Sequence, residues 1–396
     1  MDPVRMTPIH HWHELAGCKW EDVGQWKRPW YYPKSGETMQ GAVNRECLVV
    51  RNAVGIMDAS TLGKIDIQGP DAAEFLNRIY TNAWLKLKPG SCRYGLMLGE
   101  DGMIMDDGVT TRLADDHFLM TTTTGNAASV LEWLEEWLQT EWPELKVFCT
   151  SVSEHWANVT ICGPRARNLL AEFTDDIALD SKSFPFMSYR EGTVGGVSAR
   201  VYRISFTGEL SYEINVPASY ALNIWTALMN AGEKYGITPY GTETMHVLRA
   251  EKGYIIAGQE TDGTTTPDDL GMDWIVSKNK DFIGRRSLSR DDNMRNDRKQ
   301  LVGLLPTDPD KVIPEGNQIT ETRLEIPPRG TRIAMIGHVT SSYYSANLGR
   351  SFALALIKDG RGRMGDQVYM PTPNGIIAAE ITGPIFIDPD GERQDG

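Results

Sequence analysis

One pattern of apolar and polar positions occurs twice in the chain, in KIDIQGPDAAEFLNRI (residues 64–79) and NVTICGPRARNLLAEF (residues 158–173). Each copy has a short apolar run, a Gly-Pro break and then apolar residues at helical spacing. The helical positions are Ala72, Phe75, Leu76 and Ile79 in the first copy, and Ala166, Leu169, Leu170 and Phe173 in the second. The repeat predicts two related strand–turn–helix subdomains.

Between the copies, SCRYGLMLGEDGMIMDDGVTTRL predicts a β-hairpin that turns at GEDG. Its second strand holds two adjacent acids, Asp106 and Asp107. Neighbours in a strand point to opposite faces, so one of the two should face inward, where a carboxylate needs a partner or a function. The alternative is a turn or bulge with two solvated acids.

Later segments predict more helices and strands. ASVLEWLEEWLQTEWP is typical of an amphipathic helix, and its tryptophans Trp133 and Trp137 are expected in the core. VYRISFTGELSYEINVP predicts two strands around a Thr-Gly-Glu turn. From Leu301 onward, short apolar runs between Pro, Gly and Asp predict an all-β module, most simply a small barrel. The polar run at residues 279–300 indicates a boundary.

The predicted fold is therefore α+β, with a C-terminal barrel. We expect an aromatic N-terminal extension over residues 1–40, a domain built from the two related subdomains over residues 41–290, and the barrel over residues 301–396. The sequence of the extension predicts irregular structure, but it is too apolar for a disordered tail. We therefore expect it to pack onto the body or onto a partner. Its His10, His11 and His13 could bind a metal, but no Cys or carboxylate is spaced to complete a familiar site, so no metal is predicted.

Composition narrows the function. The 396 residues carry a formal net charge of -13, which disfavours nucleic acid and anionic membranes as general partners. Five scattered cysteines without a CxxC pair disfavour a disulfide framework or a zinc site. The first residues have no apolar signal-peptide core, and we expect a cytoplasmic protein. The sequence has no GxGxxG or Walker A pattern, so no flavin or NAD site is expected on this chain.

Acids near aromatic residues remain as candidate chemistry: Asp107, Glu213 and Glu251. Glu213 lies in the strand LSYEINV, where it is either on a solvated face or in a pocket. Glu251 and its neighbour Arg249 are expected to make structural contacts. The residues alone support a soluble α+β protein with a possible acid-bearing pocket.

The order of several phrases is more specific. GIMDASTLGKIDIQGPDA, CRYGLML, DDGV, FTGELSYEINVP, DFIGRRSL and TSSYYSANLGRSFALALI together resemble the aminomethyltransferase family, typified by the tetrahydrofolate-binding T-protein of glycine cleavage. Within it, TPIHHWHELAG and PYGTETMHVLRAEKGYIIAGQETDGT are similar to the C-terminal half of the alpha subunit of heterotetrameric sarcosine oxidase.

The resemblance implies a folate site. It puts Asp107 beside N10 of the folate and Glu213 on the pterin. Tyr94 and Phe206 would form walls, although T-proteins usually have Tyr at the Phe206 position. The resemblance also points to five further positions. Phe186 and Met187 fall where T-proteins carry an aromatic pair, Tyr343 or Tyr344 would close the pocket, and Met245 replaces an Arg of T-proteins.

The implied function is that of a folate-dependent one-carbon transferase in a sarcosine-oxidase-type complex. The chain would convert the imine or formaldehyde from N-methyl amine oxidation, delivered by flavin-containing partner subunits, into 5,10-methylenetetrahydrofolate. Two alternatives remain open. One is a stand-alone demethylase or methyltransferase that moves a methyl group from an amine or sulfonium to tetrahydrofolate. The other is a scaffold subunit that has lost folate binding.

Overall fold

The computed structural model describes residues 5–324 and 332–396. The helices of the described part of the chain are α1 (His10–Leu15), α2 (Met39–Asn52), α3 (Ala72–Ile79), α4 (Ala127–Thr140), α5 (Ala166–Leu170), α6 (Ala221–Gly232) and α7 (Thr242–Glu251). The strands are β1 (Lys19–Val23), β2 (Trp26–Tyr31), β3 (Val54–Asp58), β4 (Gly63–Gln68), β5 (Cys92–Leu98), β6 (Ile104–Ala114), β7 (His117–Thr122), β8 (Phe148–Ser151), β9 (Trp156–Cys162), β10 (Ser188–Val194), β11 (Val197–Arg203), β12 (Ser211–Pro217), β13 (Ile237–Pro239), β14 (Lys299–Pro306), β15 (Gln318–Ile319), β16 (Gly337–Ser345), β17 (Arg350–Lys358), β18 (Gln367–Thr372) and β19 (Gly375–Thr382).

The described residues form two compact units. The first takes in the chain up to Gly95, Asp106–His246 and Gly391–Gly396, and the second takes in Leu96–Met105 and the described part of Val247–Asp390. The predicted boundaries at residues 40, 290 and 301 stay a prediction. No helix among the described residues is long and apolar enough to cross a bilayer, and the cytoplasmic location also stays a prediction.

The first unit contains two sheets built on the repeated pattern. One has the strand order β10-β11-β12-β9-β3-β13, and the other has the order β5-β6-β7-β4-β8. The two repeats supply β4 with α3 and β9 with α5. The helical positions predicted to be apolar are buried except for Phe173, which is partly buried at the edge of the core. In each copy the strand ends at a glycine with positive φ, Gly69 at 134° and Gly163 at 115°. A side chain there would meet a backbone carbonyl, so the Gly-Pro break needs glycine.

The N-terminal segment is more regular than predicted. It contains α1 and the antiparallel pair β1–β2. Ile9 is fully buried in the core of the first unit, and Trp12 lies edge-on against Trp225 of α6. The segment therefore packs onto the body of the protein, which is one of the two arrangements predicted from the sequence. In α4 the prediction was partly wrong: Val130 and Leu134 are buried, but the tryptophans of the stripe are only half-buried.

The second unit contains a sheet in the order β15-β16-β17-β14-β19-β18. Its two ends meet, because the residue after β15, Thr320, pairs antiparallel with Tyr369 of β18. The backbone N–H of each residue donates to the carbonyl of the other, at 2.8 and 3.0 Å. Closure removes the free edges of the sheet, and the enclosed side chains form an apolar core. The predicted α+β fold with a C-terminal barrel is confirmed.

Candidate functional site

Asp107 lies on β6, half-buried, with Tyr94 of the neighbouring strand β5 as its partner. The Tyr94 hydroxyl donates to Asp107 Oδ2 over 2.6 Å. Burial, followed by the charge of Asp107, raises the pKa of Tyr94 well above its ordinary value. The phenol therefore keeps its proton and holds one carboxylate oxygen in a fixed direction, as a short charge-assisted hydrogen bond does.

Asp106 points to the other face of the same strand and is fully buried. It accepts hydrogen bonds from the hydroxyl and backbone N–H of Thr123 and from Asn126 Nδ2, the last at 3.4 Å. Burial raises the pKa of Asp106, and these donors oppose the shift. The alternative of a turn with two solvated acids is thus wrong. Asp106 is a structural acid that ties β6 to the start of α4.

Glu213 lies on β12 and is half-buried. Asn158 of β9 donates from Nδ2 to Glu213 Oε2 over 2.7 Å. Burial raises the pKa of Glu213, while the Asn158 hydrogen bond and the positive charge of Lys64 act to lower it. Glu213 is therefore not on a solvated face. It presents a carboxylate whose second oxygen, Oε1, can accept a hydrogen bond from a ligand.

Lys64 is a buried cation near this carboxylate. Its ammonium group donates to the carbonyls of Ser60 at 2.9 Å, Leu62 at 3.1 Å and Ser153 at 3.5 Å. Burial lowers the pKa of Lys64 to about 8, and the charges of Asp58 and Glu213 act in the opposite direction. The cation offsets part of the cost of keeping Glu213 ionised.

The strand faces that carry Asp107 and Glu213 meet within the first unit. Residues two apart on a strand share a face, so Tyr94 lies on the face of Cys92, and Asp107 on that of Val109. Tyr202 is the register partner of Glu213 on the neighbouring strand. The cluster that joins the two sheets contains Cys92, Val109, Leu119, Tyr189, Tyr202 and Met187. The two carboxylates therefore face a common region.

This region also holds a polar atom in need of a partner. The hydroxyl of Tyr202 is buried and has no hydrogen-bond partner among the described residues. Its ring stacks on Tyr189 at 5.5 Å. A buried hydroxyl without a partner costs free energy, which a polar ligand could recover. The face therefore combines flat apolar surface, a carboxylate acceptor and an available hydroxyl, which fits a flat heterocycle with amino groups.

Phe186, Met187 and Phe206 lie in loops of the same unit. Phe186 and Met187 are half-buried, and Phe206 is 37% exposed. Met187 has a φ of 59°, a conformation that non-glycine residues seldom adopt. Its carbonyl accepts from the N–H of Cys92 at 2.8 Å, and its own N–H donates to the carbonyl of Arg203 at 2.9 Å. Such backbone strain clusters at functional sites.

Tyr343 and Tyr344 belong to the second unit. Tyr343 is buried and its ring centroid lies 6.2 Å from that of Phe352, whereas Tyr344 points to the other face of β16 and is half-buried. Their place at the folate stays a prediction. Arg249 and Glu251 make the structural contacts expected of them: Arg249 pairs with Glu260 at 2.7 Å, and Glu251 accepts from Ser345 at 2.5 Å.

The histidines of the N-terminal segment do not form a common site. His13 is fully buried between Asp58, 3.1 Å from its Nε2, and Tyr32, whose hydroxyl lies 2.9 Å from its Nδ1. His10 stacks on Trp20, and His11 is largely exposed. Across residues 5–324 and 332–396 there is no group of three or more metal-type ligands.

Sequence reasoning missed several residues of this region. Asn158 and Lys64 are polar residues inside apolar strands, and that departure from the strand pattern was the available signal. Arg203 is fully buried and donates to the carbonyl of Phe184 at 2.6 Å. It thereby fixes the segment that carries Phe186 and Met187. No local pattern in the sequence predicts this role of Arg203.

Comparison with known proteins shows the family to which the chain belongs. The chain matches the model of the GCVT N-terminal domain over residues 9–280 and that of the glycine cleavage T-protein C-terminal barrel domain over residues 299–388. It is 31% identical to an aminomethyltransferase of Thermotoga maritima, over 96% of each chain. A crystal structure of glycine cleavage system aminomethyltransferase T from Bartonella henselae superposes with a TM-score of 0.81 at 25% identity, covering 97% of this chain and 98% of that one.

The chain is also 55% identical to the sarcosine oxidase subunit alpha of Corynebacterium sp. (strain U-96), over all of this chain and 41% of that relative. It therefore spans about two fifths of the length of that curated relative. The matches confirm the resemblance to the aminomethyltransferase family and to the sarcosine oxidase alpha subunit that was drawn from the sequence. The chain belongs to the glycine cleavage T-protein, or aminomethyltransferase, family.

Proposed function

We propose that this chain binds tetrahydrofolate and uses it to accept a one-carbon unit within a sarcosine-oxidase-type complex. The one-carbon unit is the imine or formaldehyde that flavin-containing partner subunits release from an N-methyl amine, and the product is 5,10-methylenetetrahydrofolate. The observation that carries the proposal is the pair of differently held carboxylates, Asp107 and Glu213, on strand faces that meet in one unit. The partners follow from the likeness to the sarcosine oxidase alpha subunit.

The residues divide into recognition and chemistry. Glu213 Oε1 accepts the hydrogen bonds of an amino-pyrimidine edge, and the hydroxyl of Tyr202 is a second polar contact. Met187, Phe186 and Phe206 supply apolar surface for a flat ring. When bound, tetrahydrofolate supplies the nitrogens N5 and N10 that take up the one-carbon unit.

Asp107 acts as the general base. N10 is a weak, aniline-type nucleophile, and a carboxylate within hydrogen-bond reach orients it and accepts its proton. The Asp107 carboxylate, which accepts from the Tyr94 hydroxyl at Oδ2, takes the proton of N10. Positioning the folate beside the one-carbon source adds a proximity contribution.

Ligand titration tests the folate site. We would titrate the purified chain with 5-formyltetrahydrofolate by calorimetry, with tryptophan fluorescence as a second signal. The expected result is saturable one-to-one binding that Glu213→Ala weakens about 10- to 100-fold, because a hydrogen bond to a charged group is lost. The matched control is Glu191→Ala, an exposed acid on the nearby strand β10.

Two results would overturn the proposal. One is no binding at millimolar ligand, which would favour the scaffold alternative. The other is equal affinity of the wild-type chain and Glu213→Ala. A positive result leads to reconstitution with flavin-containing partner subunits, where the rate of methylenetetrahydrofolate formation tests the transfer step.

A further inference from the structure

We infer that Asn158 is a positioning residue that fixes the orientation of Glu213 for ligand recognition, and that Asn158 is itself held by a buried hydrogen-bond chain from the N-terminal segment. The inference rests on the proposed folate site and adds the residues that align its recognition carboxylate. Asn158 is 1% exposed and reaches no ligand except through Glu213.

The orientation of the Asn158 amide is determined by its neighbours. The hydroxyl of Thr160 donates to Asn158 Oδ1 at 3.0 Å. An ionised Glu213 carboxylate can only accept, so the NH₂ end of the amide faces Glu213 Oε2, 2.7 Å away, and Oδ1 accepts from Thr160. The carboxylate is thus held at one oxygen by a donor group whose other end is also hydrogen-bonded.

The backbone of Asn158 is fixed as well. Its N–H donates to the hydroxyl oxygen of Ser60 at 3.0 Å, and its carbonyl accepts from the N–H of Ala59 at 2.9 Å. The N–H of Ser60 in turn donates to Asp58 Oδ1 at 3.0 Å. Asn158 therefore rests on the turn between β3 and β4.

That turn is tied to the N-terminal segment. Asp58 Oδ2 accepts from His13 Nε2 at 3.1 Å, and the Tyr32 hydroxyl lies 2.9 Å from His13 Nδ1. Tyr32, His13, Asp58 and Ser60 are all buried. A buried, satisfied network has one arrangement, so the segment that carries His13 and Tyr32 contributes to the placement of Glu213.

A double-mutant cycle separates this role from general structural support. We would measure 5-formyltetrahydrofolate affinity for the wild type, Asn158→Leu, Glu213→Ala and the double variant. Asn158→Leu keeps the volume and removes the donor. We expect it to weaken binding about tenfold in the wild-type background and to have no effect in the Glu213→Ala background, because Asn158 acts through Glu213.

The pH dependence provides a second readout that structural damage would not mimic. Without the Asn158 donor, the Glu213 carboxylate protonates more readily, so the loss of affinity on acidification should begin about one pH unit higher. The other titratable groups on which the charge of Glu213 acts are Lys64, Cys92, Tyr202 and Tyr240. At and below about pH 7 all of these are largely protonated, so Glu213 is the member of this set that titrates on acidification.

Thr160→Val is the second variant, in case Asn158→Leu does not fold. It removes the hydroxyl that orients the amide and keeps the shape, and it should weaken binding in the same direction by a smaller factor. Additive losses in the Glu213→Ala background, or an unmoved pH profile in both variants, would overturn the inference. Failure of the proposed function looks different, because then Glu213→Ala itself would bind as tightly as the wild type.

Discussion

The two carboxylates of the candidate site are held by donors at very different distances along the chain. Asp107 accepts from Tyr94, 13 residues away on the paired strand of one hairpin. Glu213 accepts from Asn158, 55 residues away on a strand of the second repeat. Both acids are half-buried and each accepts one of these hydrogen bonds, yet one arrangement is local and the other depends on the assembled sheet.

The difference matches the two roles proposed for them. A base that receives a proton must be directed at the reacting nitrogen, and the Tyr94 phenol of the same hairpin helps to fix the direction of Asp107. A recognition group must keep a fixed direction relative to a whole ring, and this requires support from several elements. Lys64 adds a buried positive charge on the Glu213 side.

The largest expected effect comes from Asp107→Asn. The change keeps the shape and the contact with the Tyr94 hydroxyl but removes the base. We expect folate affinity and stability to stay near the wild-type values, and methylenetetrahydrofolate formation in a reconstituted complex to slow by about 10²- to 10⁴-fold. Single-turnover rates with the flavin-containing partners measure it.

Asp115→Asn is the matched control, because Asp115 follows β6 and its side chain is 94% exposed. It should leave both the rate and the affinity unchanged. Asp107→Asn could instead weaken folate binding without changing the transfer rate. The two carboxylates would then have the same role, and the contrast between them would disappear.

The second effect concerns Lys64 and stability. Burial lowers its pKa from 10.5 to about 8, so between these pH values the unfolded chain binds the proton and the folded chain releases it. The free energy of unfolding should therefore rise with pH across this window, by about 3 kcal/mol in total for this group. Lys64→Met should lack the rise.

Urea unfolding of both chains at pH 7.5 and near pH 10.5 measures this effect. Groups far from Lys64 titrate equally in the two proteins. The informative quantity is therefore the change, between the two pH values, in the difference between their free energies of unfolding. If the difference in unfolding free energy between the two proteins were the same at both pH values, burial would not destabilise the charged form of Lys64. Lys64 would then not be a feature that separates the surroundings of Glu213 from those of Asp107.

The same contrast explains what the sequence could predict. Hydrophobic periodicity and the Gly-Pro breaks predicted β4 with α3, β9 with α5, the hairpin of β5 and β6, and the closed barrel. Adjacent acids in a strand were enough to place one of them inward, although not to say which would be structural. Asp106 has a structural role because Thr123 and Asn126, which follow β7 in the chain, donate hydrogen bonds to its carboxylate.

The contacts of Glu213 could not be predicted in this way. The residues that surround or support Glu213 come together only after strands from both repeats and the N-terminal segment have assembled. They are Asn158, Lys64 and His13. Pairings of this kind depend on register between distant strands, which no local pattern encodes. The N-terminal segment was misjudged as irregular for a similar reason: its helix and strand pair are short, and much of their burial comes from tertiary contacts.

The smallest expected effect tests how much Asp107 needs the hydrogen bond from the Tyr94 phenol. Tyr94→Phe removes the hydroxyl 2.6 Å from Asp107 Oδ2 and keeps the ring. We expect the transfer rate to fall about tenfold, less than in Asp107→Asn, because the base remains but loses a fixed direction. Tyr235→Phe removes another phenol–carboxylate contact, to the surface acid Glu172, and should change nothing.

Combining the changes decides whether Tyr94 acts through Asp107. If it does, Tyr94→Phe together with Asp107→Asn should be no slower than Asp107→Asn alone, because there is no base left to orient. A further tenfold loss in the double variant would mean that the Tyr94 hydroxyl touches the reacting groups directly. Asp107 and Tyr94, two residues of one hairpin, would then both take part in the chemistry, and Tyr94 would do more than orient the base.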